Sequence, residues 1–244
     1  MSDAFNVSED ASAGAAADTS VRVSGVLTGG PLVTEGPGLL VMDVDSTLIE
    51  QEVIELIAER AGTREQVAEV TARAMRGELD FAASLRERVA TLAGVSQEVF
   101  AEVLAEVRPT EGAAELIEAL HTRGCRVGVV SGGFEEVVVP LAERLGIDHV
   151  AANRLEVVEG RLTGRVLGRI VDRQEKVHCL RTWAQQDGVP MERTIAVGDG
   201  ANDLGMLEAA GLGVAFCAKP VVVEQADAAI HVRDLRAVLQ LIGG

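Results

Sequence analysis

The chain has 244 residues, a formal net charge of −16, and 48% hydrophobic against only 2% aromatic residues, so it can bury one sizeable core that must be largely aliphatic. That charge argues against nucleic acid or an anionic membrane as the main partner, since both demand basic surface, and it leaves any anionic substrate in need of local positive charge such as a metal. Cys125, Cys179 and Cys217 lack paired spacing, no apolar run is long enough to cross a bilayer, and the N-terminus lacks the basic start and apolar core of a signal peptide, so a cytoplasmic protein with free thiols is expected.

Residues 1–37 read as a mostly disordered N-terminal extension rich in Ala, Ser, Gly, Asp and Thr, within which 21–33 could add an edge strand. The apolar run 38–42 suits a buried parallel strand. It leads directly into Asp43, Asp45, Ser46 and Thr47. If the chain stays extended there, Asp43 and Asp45 project to one side, because side chains two apart on a strand share a face. Crowded carboxylates are costly unless a cation or a shared proton offsets their repulsion, so the pair predicts a metal, split acid and base roles, or both. Thr47 and Glu50 have the spacing of a capping box for a helix just beyond. A calcium loop of the EF-hand type does not fit, since Leu48 stands where it needs glycine and a strand stands where it needs a helix.

Residues 51–107 contain no proline and carry apolar residues at helical spacing, with breaks near Gly62, Gly77 and Gly94; they predict about four helices inserted after the first strand. Beyond Arg108 and Pro109 the α/β pattern resumes, with a helix over 111–123, a strand over 125–130 ending in Ser131-Gly132-Gly133, a helix over 135–145 and a strand over 147–151. A hairpin follows over 155–167, then a helix carrying Lys176, a strand over 194–197 ending at Asp199, a helix from about 204, short strands over 211–216 and 228–232, and a closing helix over 235–242. This alternation predicts a doubly wound parallel sheet. The expected division is an α/β core of 38–48 and 109–244 with a helical cap of 49–108.

In a parallel sheet the C-terminal strand ends lie on one crest, which would bring Asp43, Asp45, Ser131 and Asp199 together. These parts match phosphoryl transfer, where positioning and charge neutralisation dominate. Asp43 can attack phosphorus, and Asp45 can protonate the leaving alcohol and then deprotonate water. Magnesium, a hard ion, would be held by Asp43, Asp199 and a backbone carbonyl, with Asp45 counted in the metal set. Ser131 and the Gly132 N–H can donate to phosphate at a helix start, with Lys176 as a point charge. Ser131 as a nucleophile is disfavoured, since the first glycine of a hydrolase elbow is missing.

Asp43-Val44-Asp45-Ser46-Thr47, Ser131-Gly132-Gly133-Phe134, Lys176 and Gly198-Asp199-Gly200-Ala201-Asn202-Asp203 resemble, in order, the four motifs of haloacid dehalogenase-type phosphatases, most closely the members acting on phosphoserine. The resemblance implies Asp43 as nucleophile, Asp45 as acid and base, Ser131, Gly132 and Lys176 on phosphate, Asp199 as metal ligand, Asn202 near the phosphate, and Asp203 as support for Lys176 or the metal. It further implies a cap in which Glu52 and Arg88 hold the amino and carboxylate groups of a phosphorylated amino acid while Met75 and Phe81 screen the site from water. A soluble monomer or homodimer with Mg2+ as cofactor is the corresponding expectation. Val44 departs from the Phe common between the family's two aspartates. Two alternatives share the same residues: transfer of the phosphoryl group to homoserine or another small alcohol, and a signalling receiver that keeps its acyl phosphate.

Overall fold

Side chains alternate across a strand, and in the central strands this alternation feeds two separate aliphatic clusters. The computed structural model describes residues 23–25, 27 and 29–242. The expectation of a mostly disordered extension over 1–37 therefore lies largely outside the described residues. The chain begins with a two-residue strand β1 (Val23–Ser24) and a single helical turn α1 (Pro31–Thr34), then enters the central strand β2 (Leu39–Met42). In β2, Leu40 and Met42 pack into one cluster and Leu39 and Val41 into the other, all four fully buried.

Four helices follow: α2 (Val53–Ala61), α3 (Arg64–Met75), α4 (Phe81–Ala90) and α5 (Val99–Glu106). Gly62 ends α2 with φ 69°, a left-handed conformation that only glycine adopts without penalty. After α6 (Ala113–Thr122), β3 (Arg126–Phe134) and α7 (Glu135–Leu145), the chain forms the hairpin β4 (His149–Val158) and β5 (Arg161–Leu167). Then come α8 (Arg173–Gln186), β6 (Thr194–Gly198), α9 (Leu204–Ala209), β7 (Leu212–Phe216), α10 (Pro220–Val223), β8 (Ala228–Ile230) and α11 (Ala237–Leu241).

The strands form one eight-stranded sheet in the order β1-β8-β7-β6-β2-β3-β4-β5. Its six inner strands are parallel, and the edge strands β1 and β5 run antiparallel to β8 and β4. Helices cover both faces. Val103, Leu116, Val138 and Val238 sit in one cluster, and Leu180, Trp183, Met206 and Val222 in the other. The second face is lined by small residues, Ala196, Ala215 and Ala229, which lets α8 and α9 approach closely. Gly128 is part of that fit: a Cβ there would stand 2.9 Å from the Trp183 ring.

Register positions the crest. Met42 pairs with Val129 on one side and Val197 on the other, so the residues just after all three emerge at one level. The four-helix insert leaves and rejoins the core through adjacent segments. Ile49 forms an antiparallel bridge with Pro109, and Glu50 N–H donates to Arg108 O. The hairpin holds the far side of the insert, where Gly94 N–H donates to Leu162 O at 2.8 Å and Leu162 N–H to Val95 O at 2.9 Å.

Two local expectations are corrected. The strand expected over 147–151 and the first arm of the hairpin expected over 155–167 are one continuous strand, β4, because Asn153 pairs with Phe134 and Arg154 with Leu167 and so carry the extended chain through. Thr47 and Glu50 form no capping box, since α2 begins at Val53 and its first N–H donates to the Asp45 carboxylate instead. The reason is the turn over Val44–Leu48, in which Ser46 adopts φ 57° and carries the chain away before a helix can start.

Candidate active site

Asp43 leaves β2 with extended backbone angles, and Asp45 keeps them two residues later, so both carboxylates line the same cavity of about 150 Å3. The cavity wall also contains Gly132 and Gly133 from β3, Asp199, Gly200 and Asn202 from the loop after β6, and Glu52, Ile54, Phe81, Leu85 and Arg88 from the insert. Core crest and insert thus face each other across it.

Beneath this cavity lies a buried ion pair network. Lys176 projects from α8 with no exposed surface, its Nζ 2.7 Å from Asp43 Oδ1 and 2.6 Å from Asp203 Oδ1. Asp203 Oδ2 accepts from Gly200 N–H, which fixes its orientation. Gly198 makes room for it, since a Cβ there would stand 2.5 Å from the Asp203 carboxyl carbon. Burial would neutralise Lys176, but Asp203 and Asp43 outweigh it and hold the ammonium charged well above its ordinary value.

One ammonium does not balance the carboxylates around it. Burial, then Asp203, push Asp43 well above the ordinary carboxylate range, with Lys176 pulling against them. Burial and Glu52 raise Asp45 to about 7, and burial and Asp203 raise Asp199 to about 6. Carboxylate oxygens of Asp43, Asp199 and Asp203 lie within 4.8 Å of one another. All are hard oxygen donors, and the excess negative charge is of the kind a divalent cation offsets, so these residues fit a metal. Asp203 is engaged at both oxygens by Lys176 and Gly200, which leaves Asp43 and Asp199 as the freer donors. Among the described residues, the Asp45 carboxylate is not in the acidic trio; its Oδ1 instead accepts from Val53 N–H at 2.9 Å.

The other residues singled out from the sequence divide into those lining the cavity and those beside it. Glu52 accepts from Ser46 Oγ at 2.8 Å, and burial raises its carboxyl. Burial lowers Arg88, with Glu52 opposing, so the insert offers the cavity one acid and one base. Phe81 lies over Gly132, its Cζ 3.0 Å from where a Cβ would stand. Ser131 is fully buried and its Oγ accepts from Gly133 N–H at 2.7 Å, leaving its own proton to donate. Met75 is not brought to the cavity: it ends α3 with 72% of its surface exposed.

Four further contributors were not expected in the site. Thr47 Oγ1 donates to Asp199 Oδ1 at 3.1 Å. Asn153 is fully buried, donating to Gly132 O and accepting from Val171 N–H, so it ties the Gly132 loop to the segment before α8. Ile54 and Leu85 supply apolar wall. Only Thr47 carried a local signal, its place beside two acids, and there capping chemistry competed for it.

The model of the haloacid dehalogenase-like hydrolase family matches residues 40–208. The chain belongs to this family. Similar haloacid dehalogenase-like hydrolases include the phosphoserine phosphatase of Streptococcus thermophilus, 53% identical over 86% of this chain and 98% of that one. That of Streptomyces coelicolor is 60% identical over 84% of this chain but only 50% of its own, so the chain spans half of that relative's length. Among solved structures, a substrate-bound phosphoserine phosphatase complex superposes with a TM-score of 0.80 at 45% identity, covering 84% of this chain and 98% of that one. A phospho-aspartyl intermediate analogue of phosphoserine phosphatase gives a TM-score of 0.80 at 46% identity, covering 84% and 99%.

Proposed function

We propose that this haloacid dehalogenase-like hydrolase is a magnesium-dependent phosphatase that converts O-phospho-L-serine to L-serine and phosphate through an aspartyl phosphate on Asp43. The reading is carried by one observation: a nucleophile-capable Asp43, held on buried Lys176, shares a cavity with an acid and base pair, Glu52 and Arg88, on the opposite wall. Phosphoserine carries an amino and a carboxylate group besides its phosphate, and that pair suits both. The phosphoserine phosphatase relatives and the phospho-aspartyl analogue structure support the same reading.

In this mechanism an Asp43 oxygen attacks phosphorus and the bond to the serine oxygen breaks. Asp45, whose carboxyl is raised to about 7, gives its proton to the leaving oxygen from the side not held by Val53 N–H. It then takes a proton from the water that attacks the aspartyl phosphate, releasing phosphate. Lys176 keeps Asp43 oriented, and Ser131 Oγ–H and the Gly132 N–H face the phosphate oxygens. Magnesium bound at Asp43 and Asp199 would neutralise charge on the phosphate. Phe81 and the insert exclude water from the cavity. A cytoplasmic location and a monomeric or dimeric state belong to the same proposal.

The test is phosphate release, with and without Mg2+, from phosphoserine, phosphothreonine, phosphoglycolate and a sugar phosphate, with Asp43→Asn in parallel. Strong preference for phosphoserine that vanishes in the variant is expected. Preference for another ester would overturn the roles of Glu52 and Arg88; activity persisting in Asp43→Asn would overturn the nucleophile.

A further inference from the structure

The turn that aims Asp45 is conformationally expensive. Ser46 sits in the left-handed region at φ 57°, which a residue with a Cβ leaves unless its surroundings over-determine it. Its own internal bonds are modest: Ser46 N–H donates to Gln51 O at 3.2 Å and Ile49 N–H to Val44 O at 3.0 Å. Two side chains from distant parts of the chain grip it from outside. Arg233, in the segment after β8, donates from Nη1 to Ser46 O at 2.9 Å. Its guanidinium also lies 5.9 Å from the centroid of the buried Phe216 ring, which supports the side chain from below. Thr110, a buried residue on the segment returning from the insert, donates from Oγ1 to Thr47 O at 2.7 Å, and its N–H donates to Leu48 O at 2.8 Å. Three successive carbonyls, those of residues 46, 47 and 48, are therefore held by groups outside the turn.

What hangs on this turn is the chemistry. Asp45 precedes Ser46, Ser46 Oγ donates to Glu52, and Thr47 Oγ1 donates to Asp199. We propose that Arg233 and Thr110 are positioning residues for the reaction, a two-sided clamp that holds the Ser46–Thr47 carbonyls and so fixes Asp45 and Asp199 relative to Asp43. Neither side chain lines the cavity. The inference rests on the hydrolase reading above for its kinetic consequence but not for its structural one. Thr110 also couples the clamp to the connection of the insert, since the same stretch carries the Ile49 to Pro109 bridge.

The test compares Thr110→Val, Thr110→Ser, Arg233→Ala and Arg233→Lys with the wild-type chain. Three readouts are taken: steady-state phosphate release from phosphoserine with Mg2+, amide hydrogen exchange of Ser46 and Ile49, and melting temperature. Small misplacements of reacting groups are costly in rate, so Thr110→Val and Arg233→Ala should each lower kcat by about 10-fold to 10²-fold. Thr110→Ser, which keeps the hydroxyl, should return close to wild type, and Arg233→Lys should recover part of the loss. Exchange at Ser46 and Ile49 should quicken in the two disruptive variants while the melting temperature of Arg233→Ala, an exposed position, stays near wild type. Unchanged kcat and unchanged exchange in Thr110→Val and Arg233→Ala would overturn the clamp. So would losses that Thr110→Ser fails to restore. If the wild type releases no phosphate from phosphoserine, the functional reading fails separately, and the exchange rates alone decide the clamp in the same directions.

Discussion

Lys176 is the residue whose environment is least forgiving. It lies fully buried between Asp43 and Asp203, and replacing it by Met removes the cation while leaving two buried carboxylates facing each other. Breaking a buried pair in this way costs about 3–5 kcal/mol, so Lys176→Met should show a large fall in unfolding free energy by denaturant titration together with loss of turnover. Asp45→Asn behaves differently, because its carboxyl is one of several around the cavity and the role proposed for it is proton transfer. Turnover should fall by about 10²–10⁴-fold, with unfolding free energy close to wild type. Phe81 and Met75, for which the family resemblance implied one screening role, separate in the structure. Phe81 lies against Gly132, whereas Met75 is largely exposed at the end of α3. Met75→Ala should leave kcat/KM within about twofold, as surface substitutions usually do, while Phe81→Ala should lower it by about tenfold through looser enclosure of the reacting groups.

At the scale of elements, the start of β3 is stitched to the loop before β4 by one carboxylate. Asp148 accepts from Val127 N–H at 2.9 Å, pairs with Arg126 at 2.6 Å and meets His121 Nε2 at 2.9 Å. Partial burial pushes its carboxyl up, but the Val127 N–H, Arg126 and His121 together bring it below its ordinary value. A carboxyl depressed on folding adds stability above its unfolded pKa, near 3.9, and loses it as pH falls through the folded value. Asp148→Ala should therefore cost about 1–2 kcal/mol at neutral pH through the unpaired Val127 amide, and the gap from wild type should narrow on acidification below about pH 4. Thermal unfolding followed by fluorescence of Trp183, the single tryptophan, measures both. A gap that is constant with pH would show that the carboxylate charge contributes nothing.

For the whole molecule, the relevant quantity is the surplus of acid at the crest within a chain of net charge −16. Asp43, Asp45, Asp199, Asp203 and Glu52 converge there around one buried ammonium, and a cation that binds only this arrangement stabilises the folded state by mass action. Saturating Mg2+ at about 100 times its dissociation constant is worth about 2.7 kcal/mol. The melting temperature should accordingly rise with Mg2+ and fall with chelator, and the response should disappear in Asp199→Asn. A wild-type melting temperature indifferent to Mg2+ would count against the acidic trio as a metal site.

A doubly wound parallel sheet, the succession of strands and helices along the chain and the polar crest are legible in local sequence. Buried parallel strands are short, largely apolar runs, readable locally, and each run over 38–42, 125–130 and 194–197 leads into its polar residues at the C-terminal edge. Register then brings those ends to one level, since Met42 pairs with both Val129 and Val197. Which side chains complete the site depends on packing between distant segments. Asn153 under Gly132, Thr47 on Asp199, Thr110 on Thr47 and Arg233 on Ser46 are all pairings between distant segments, the last across 187 residues. Nothing in local periodicity or propensity encodes them, because such partners are chosen by which donors and acceptors come within reach once the elements have packed. The same holds for the insert. Its helical nature is written in spacing, but the presence of Phe81 at the cavity and the absence of Met75 follow from where α3, α4 and the hairpin come to rest on the core.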